Sequence, residues 1–334
     1  AMTLGGGLSF IHATWQSIVP LSFLTEILTV VTIVLICAGF VRLLDAYRQF
    51  IIDRRFGFGK TSALLFAKDT SINAVLLVAV ASILAAISLL AMAEFENGRW
   101  IAVWVIWTCF EWGRSWLYSG KLAHLFDRLE RLSDEALTER IGELMERSGC
   151  LIDKIEVVDS SKRSTHANAS VVGLGKTKRV IFHDTLLAIL SKAEIVAVMA
   201  HELGHVQNAH VIKDLGLRSA IAFVWIVGVG SLLEAPSIQA VMNSPNASDG
   251  MLLALLWLLT PIFALIAKPL ISSTRRSYEY EADRFALRND DPAALQSALV
   301  KLHARNASAS VCDPLYGFVQ SSHPSLQDLS LIHI

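Results

Sequence analysis

The sequence predicts a mainly α fold, a polytopic bundle of transmembrane helices that carries a small α+β domain on one face of the membrane. Three observations predict it. Hydrophobic residues make up 53% of the 334 residues and charged residues only 18%, with a mean hydropathy of +0.49, well above an average soluble domain. Five runs are long and apolar enough to cross a bilayer, which takes about 20 helical residues. Between the third and fourth runs lies a polar segment, 120–214, with both helix-like and strand-like patterns.

The spans fall at about 21–44, 71–93, 100–119, 215–235 and 251–271. Buried helices of a large soluble core are the rival reading, but several runs exceed about 18 residues with almost no charge. The third span, WIAVWVIWTCFEWGRSWLYS, carries Glu111 and Arg114 among tryptophans. That is either an interfacial helix end with an aromatic belt or a helix face lining a polar cavity, and both stay open. Loop charges set the orientation. Residues 1–20 and 236–250 hold no Lys or Arg, whereas 42–68 carries Arg42, Arg48, Arg54, Arg55, Lys60 and Lys68. The positive-inside rule therefore places 45–70, 120–214 and 272 onward on the cytoplasmic side.

A net charge of −1 gives no reason to expect a nucleic-acid partner. Cys37, Cys109, Cys150 and Cys312 form no CxxC pair and are expected to be ordinary buried thiols. The chain opens at Ala1 without a basic n-region or cleavage site, so no signal peptide is expected. The last six residues, LSLIHI (329–334), match one reading frame of a common sequencing adapter. They are expected to be a non-native tail, and His333 is assigned no function.

Within the polar segment, 133–149 reads as a helix opened by Ser133 and closed by Gly149. IEVVD (155–159) and RVIFHD (179–184) read as strands, with SVVGLG extended between them, so a small sheet or hairpin is expected. SKAEIVAVMAHELGHVQNAH then opens on Ser191 with Glu194 three residues on, the pattern of a capping box, which puts the stretch on a helix.

On that helix His201 and His205, four residues apart in HELGH, share one face about a turn apart. Two such imidazoles bind one Zn²⁺, and the adjacent Glu202 takes a proton from the attacking water. Chance supplies HExxH on the order of once in a hundred chains of this size, so a third ligand has to decide. A histidine six residues on is absent, since position 211 is Val211. His210 would project from a different face of an unbroken helix, toward solvent or a neighbouring loop. Downstream, RRSYEYEADRFAL (275–287) puts Glu279 and Asp283 on one helix face and Glu281 on another. Glu279 as ligand, with Asp283 hydrogen-bonded to a ligand histidine, fits the way metal-bound imidazoles are held. A solvated helix laced by Arg275, Arg276 and Arg284 is the bland alternative, and spacing alone leaves both open.

FGFGKTSALLFAKD, LFDRLERLSDEAL, SKRSTHANASVVGLGKTKRVIFHDTLL, HELGHVQNAH, RRSYEYEADRFAL and SSHPSL follow one another from about residue 50 to 328. In this order they resemble the type I CAAX prenyl endopeptidases, integral-membrane gluzincins. The resemblance implies a helix bundle enclosing a chamber, with an HExxH zinc-metalloprotease domain at the cytoplasmic face. It implies a membrane region over 1–120, a protease domain over 121–328 that includes the last two spans, and the tail 329–334 outside both. Zn²⁺ would sit on His201, His205 and Glu279, with Glu202 as general base and acid. Asn168 would lie beside the peptide and His323 would hold substrate or the developing oxyanion. The implied reaction removes the C-terminal tripeptide of prenylated proteins, at the bacterial inner membrane or the endoplasmic reticulum. A quality-control protease with non-prenylated substrates and a non-catalytic scaffold are the competing readings. The chain departs from the family at Ser170, Val171 and Val172, where aromatics are usual, at Val206 in place of Trp and at His124 in place of Pro. The family has seven spans, so two are expected to lie upstream of Ala1.

Overall fold

The computed structural model describes residues 5–117, 129–150, 152, 154–162, 164–172, 178–241, 247–306, 313–321 and 323. His124, Cys312 and the expected tail 329–334 lie outside them. The chain divides into two compact units, one of 1–48, 63–111 and 218–266, the other of 49–62, 112–217 and 267–334.

The first unit is helical. Among the described residues four helices are long and apolar enough to cross a membrane: Ser22–Arg55, Ala63–Glu94, His210–Leu233 and Asp249–Asn289. The third expected span does form a helix, Arg99–Leu117. It is not among the four, because Arg99, Glu111, Arg114 and the indoles from Trp100 to Trp116 dilute its apolar content. The apolar stretches of the first two spans are only 28% and 22% buried, and leave Leu35, Phe40, Val75, Ile83 and Leu90 uncovered. So much exposed apolar surface is tolerable only in hydrocarbon. The inner face of this unit packs Ile33, Met92, Trp100, Ile226 and Leu255. A polar cluster ties helix ends together. Arg99 pairs with Asp249 and Glu234, the Trp100 indole N–H donates to Glu234 at 2.8 Å, and Glu26 accepts from the Ser248 hydroxyl at 2.6 Å and the Gly250 N–H at 2.9 Å.

The second unit holds a four-stranded sheet of β1 (Leu129–Arg131), β2 (Lys154–Val158), β3 (Ala169–Val172) and β4 (Arg179–His183). The order is β1-β2-β4-β3, with β2 parallel to β4 and both outer pairs antiparallel, so β3 is an edge strand. Helix Glu135–Arg147 lays Leu137, Ile141 and Leu144, one face at helical spacing, into the core with Val180 and Phe182. It begins one residue later than expected. Asp134, not Ser133, is the cap and accepts the Leu137 N–H at 3.0 Å, while Gly149 follows the last turn at φ 62°. The cysteines differ from expectation: Cys150 is buried, Cys37 only partly, and Cys109 is exposed on its apolar helix.

Candidate metal centre

His201, Glu202 and His205 stand on helix Lys192–Gln207. The expected capping box is present, the Ser191 hydroxyl accepting the Glu194 N–H and Glu194 accepting the Ser191 N–H at 2.7 Å. Glu194 does more than cap. Only 5% exposed, it also accepts from the Ser297 hydroxyl at 2.6 Å and from Lys301 at 2.8 Å, which fastens the motif helix to helix Pro292–Arg305. Burial opposes its ionisation, but Lys301, Ser297 and the Ser191 N–H outweigh that and pull its carboxyl down to about 2.

Glu279 and Asp283 come from helix Asp249–Asn289. The two helices touch through Gly204, where a Cβ would lie 2.7 Å from the Ala282 Cα and 2.9 Å from its carbonyl oxygen. Only glycine permits that approach, and it brings Glu279 to both histidines. Nε2 of His201 and Nε2 of His205 are 3.2 Å apart, and Glu279 lies 3.4 Å from the first and 3.6 Å from the second. Among the described residues this is the group of three whose donor atoms all lie within 4.8 Å of one another. Donors bound at about 2.0–2.1 Å around a tetrahedral Zn²⁺ sit roughly 3.3 Å from each other. The donor set and its spacing therefore fit the ion.

Asp283, 1% exposed, meets His201 at Nδ1, 2.8 Å away, as expected for a carboxylate that orients a ligand. Burial pulls His201 down, but the Asp283 and Glu279 carboxylates outweigh it and push the imidazole up to about 10. Burial and the charge on His201 pull His205 down to about 3. For Glu202, burial outweighs the attraction of His201 and, helped by the Glu279 charge, pushes the carboxyl up to about 7. Its Oε2 accepts the Val171 N–H at 3.2 Å, so the base lies against edge strand β3.

His323 lies close by, though not as a free donor. Its Nδ1 is 2.9 Å from Glu279 Oε2, and that contact raises its pKa. The preceding chain is pinned to the Glu279 helix by Arg276, which donates to the carbonyls of Gly317 at 2.9 Å and Ser321 at 2.7 Å. Asn168 stands immediately before β3 with an exposed side chain that makes no hydrogen bond to the three ligand candidates. Its carbonyl accepts the His183 N–H.

Several site residues escape sequence reasoning. Asn306 accepts the Ala167 N–H at 2.9 Å and donates to the Ala167 carbonyl at 3.0 Å, so a side-chain amide pairs like a strand beside the HANA stretch. Phe58 of FGFGK stacks on His166 at 4.5 Å, which joins two motifs more than a hundred residues apart in the chain. Gly204 carried a readable signal, a glycine inside a helix with no need of one. His210 contradicts its expected place. It is 4% exposed, and its Nδ1 is 2.8 Å from Nδ1 of His205. The unbroken helix assumed for it ends at Gln207, and Ala209 turns left-handed at φ 53° before the next helix starts at His210.

Comparison with known proteins matches this architecture. The sequence model of peptidase family M48 matches residues 131–328. That described as CAAX prenyl protease N-terminal, five membrane helices, matches 1–128. A CAAX prenyl protease 1 homolog of Dictyostelium discoideum is 30% identical over 290 residues, covering 85% of this chain and 67% of its own. One from Arabidopsis thaliana is 31% identical, covering 84% and 66%. CAAX prenyl protease 1 of Saccharomyces cerevisiae is 28% identical, covering 85% and 66%. The chain thus spans about two thirds of the length of these curated relatives. The crystal structure of S. mikatae Ste24p superposes with a TM-score of 0.85 at 26% identity, over 97% of this chain and 81% of that one.

Proposed function

The chain belongs to peptidase family M48, and from that premise we propose that it is a membrane-embedded zinc endopeptidase that removes the C-terminal tripeptide of prenylated proteins. The observation that carries the reading is the convergence of His201, His205 and Glu279 from two helices, with Glu202 beside them. The names of its relatives, CAAX prenyl protease 1 and its homologs, support the substrate class. So does the contact between FGFGK and HANA, the motifs that favour this branch over a quality-control protease.

In this reading His201, His205 and Glu279 hold the zinc, which when bound polarises the scissile carbonyl and acidifies the attacking water. Glu202, as the carboxylate beside the ligands, takes that water's proton and passes it to the leaving amine. Asp283 keeps His201 facing inward. The peptide lies extended along edge strand β3, where Val171 offers its N–H once Glu202 releases it. Asn168 borders that peptide. His323 supplies a donor to the oxyanion after leaving Glu279, a contribution of typically about 3 kcal/mol. Residues 1–120 act as the membrane region and 121–328 as the protease. The basic 42–68 loop supports a cytoplasmic orientation for the site.

Glu202→Ala tests the assignment. The variant should retain zinc and lose at least about a hundredfold in turnover, the lower bound for removing a general base. Normal turnover would refute the mechanism. Equal cleavage of a farnesylated CAAX peptide and its unmodified twin would remove the prenyl requirement.

A further inference from the structure

Asp283 accounts for the outer nitrogen of His201, and His205 has a counterpart of different composition. Its Nδ1 lies 2.8 Å from Nδ1 of His210, whose Nε2 lies 3.1 Å from Glu281 Oε2. Tyr278 stacks on the His210 ring at 4.3 Å and 14°, fixing its plane. Lys213 stands 3.8 Å from the same Glu281 oxygen, so the carboxylate already has a cation beside it.

The protons in this chain of contacts can be placed. A carboxylate only accepts, so Nε2 of His210 carries a hydrogen toward Glu281. His210 is 4% exposed, and with its Nε2 hydrogen directed at Glu281 the ring presents its Nδ1 lone pair to His205. Two imidazole nitrogens at 2.8 Å share one hydrogen, so His205 must donate from Nδ1. That leaves its lone pair on Nε2, the atom 3.2 Å from Nε2 of His201. An uninterrupted helix would place His210 about 140° away from His205, and left-handed Ala209 is what swings it back. A non-glycine residue in that region costs of order 1–3 kcal/mol and persists only where its surroundings impose it.

We propose that His210 and Glu281 are positioning residues that hold His205 in the Nδ1-protonated tautomer and so keep Nε2 available to the metal. The inference rests on the metal reading above. His201 is steadied by one carboxylate directly, and His205 by a carboxylate acting through a second histidine. Sequence spacing hides the arrangement, since Glu281 does not share the helix face of Glu279 and Asp283.

The test is titration of the full chain in detergent with Co²⁺ as probe metal, following affinity by chelator competition and geometry by visible absorption. The variants are His210→Ala, His210→Gln, Glu281→Ala and, as control, His205→Ala. His210→Ala should weaken cobalt binding about 10- to 100-fold, the range for loss of an outer partner of a metal-bound histidine, and shift the absorption band. His210→Gln, whose carbonyl can accept from Nδ1, should restore most of the affinity and the wild-type band. Glu281→Ala should lose about tenfold, the lower end of that range. Its partly exposed side chain keeps the question decidable if His210→Ala fails to fold. Wild-type affinity and spectrum in His210→Ala, or in Glu281→Ala where the former is unfolded, overturn the inference. Undiminished binding in His205→Ala instead overturns the metal reading and the inference with it.

Discussion

Replacing Gly204 by alanine adds one methyl group at a point where two backbones meet. The new Cβ would lie 2.7 Å from the Ala282 Cα, 2.9 Å from its carbonyl oxygen and 3.1 Å from the Phe285 Cβ. The two closest atoms belong to a helix backbone, so no rotamer change relieves the overlap. Ordinary contact begins at 3.4 Å, which requires the helices to part by about 0.7 Å. Glu279 is three residues from Ala282, and His201 and His205 flank Gly204 within a turn. A displacement of that size lengthens the 3.4 and 3.6 Å spacings between Glu279 and the histidines to beyond 4 Å. Ligand distances tolerate only about 0.2 Å. Overpacking costs about 1–3 kcal/mol, against about 1 kcal/mol gained by alanine over glycine in a helix. The expected net loss of stability is therefore at most about 2 kcal/mol, with metal affinity down at least about tenfold. Metal content after dialysis against buffered zinc, together with thermal unfolding in detergent, measures both. Ala282→Gly should not rescue the variant, because the clash involves Cα and the carbonyl, which glycine keeps. A Gly204→Ala protein that binds zinc like the wild type would refute the idea that this contact sets the ligand spacing.

Two further outcomes follow from the same geometry. Asp283→Ala removes the acceptor 2.8 Å from His201 Nδ1 and should weaken zinc binding about 10- to 100-fold by chelator competition. Glu194 has a folded pKa of about 2, below its ordinary value of 4.5, so its ionised form stabilises the fold above the unfolded pKa, and this stability is lost as pH falls toward 2. The shift corresponds to about 3 kcal/mol near neutrality. The stability gap between wild type and Glu194→Gln should therefore narrow steadily from pH 5 downward in denaturant titrations, and a gap independent of pH would contradict the clamp.

What was legible in the sequence was local. HELGH, the Ser191–Glu194 capping box and the strand read at 179–184 each depend on neighbours a few residues away, and each forms, the strand one residue shorter at Arg179–His183. Asp283 was legible because it shares a helical face with Glu279. The partnership of Asn306 with Ala167 was not, since 139 residues separate them and neither departs from ordinary composition. His210 was misread for a sharper reason. Helical projection is reliable only while the helix continues, and this one stops at Gln207 without glycine or proline to announce it. The 99–117 helix shows the converse, since its pattern gives the helix correctly but its charges and indoles lower the apolar content that marks a span.

The turn at Ala209 also changes what counts as the motif. HExxH is usually read as five residues with two free positions. Here the left-handed residue makes the interval from His205 to His210 as constrained as the one from His201 to His205. Substitution within Val206–Asn208 leaves that interval intact. Loss or gain of a single residue there would rotate His210 away by about 100°, though every ligand stayed in place. The geometric unit is then a ten-residue spacing, His201 to His210, in which length matters as well as residue type.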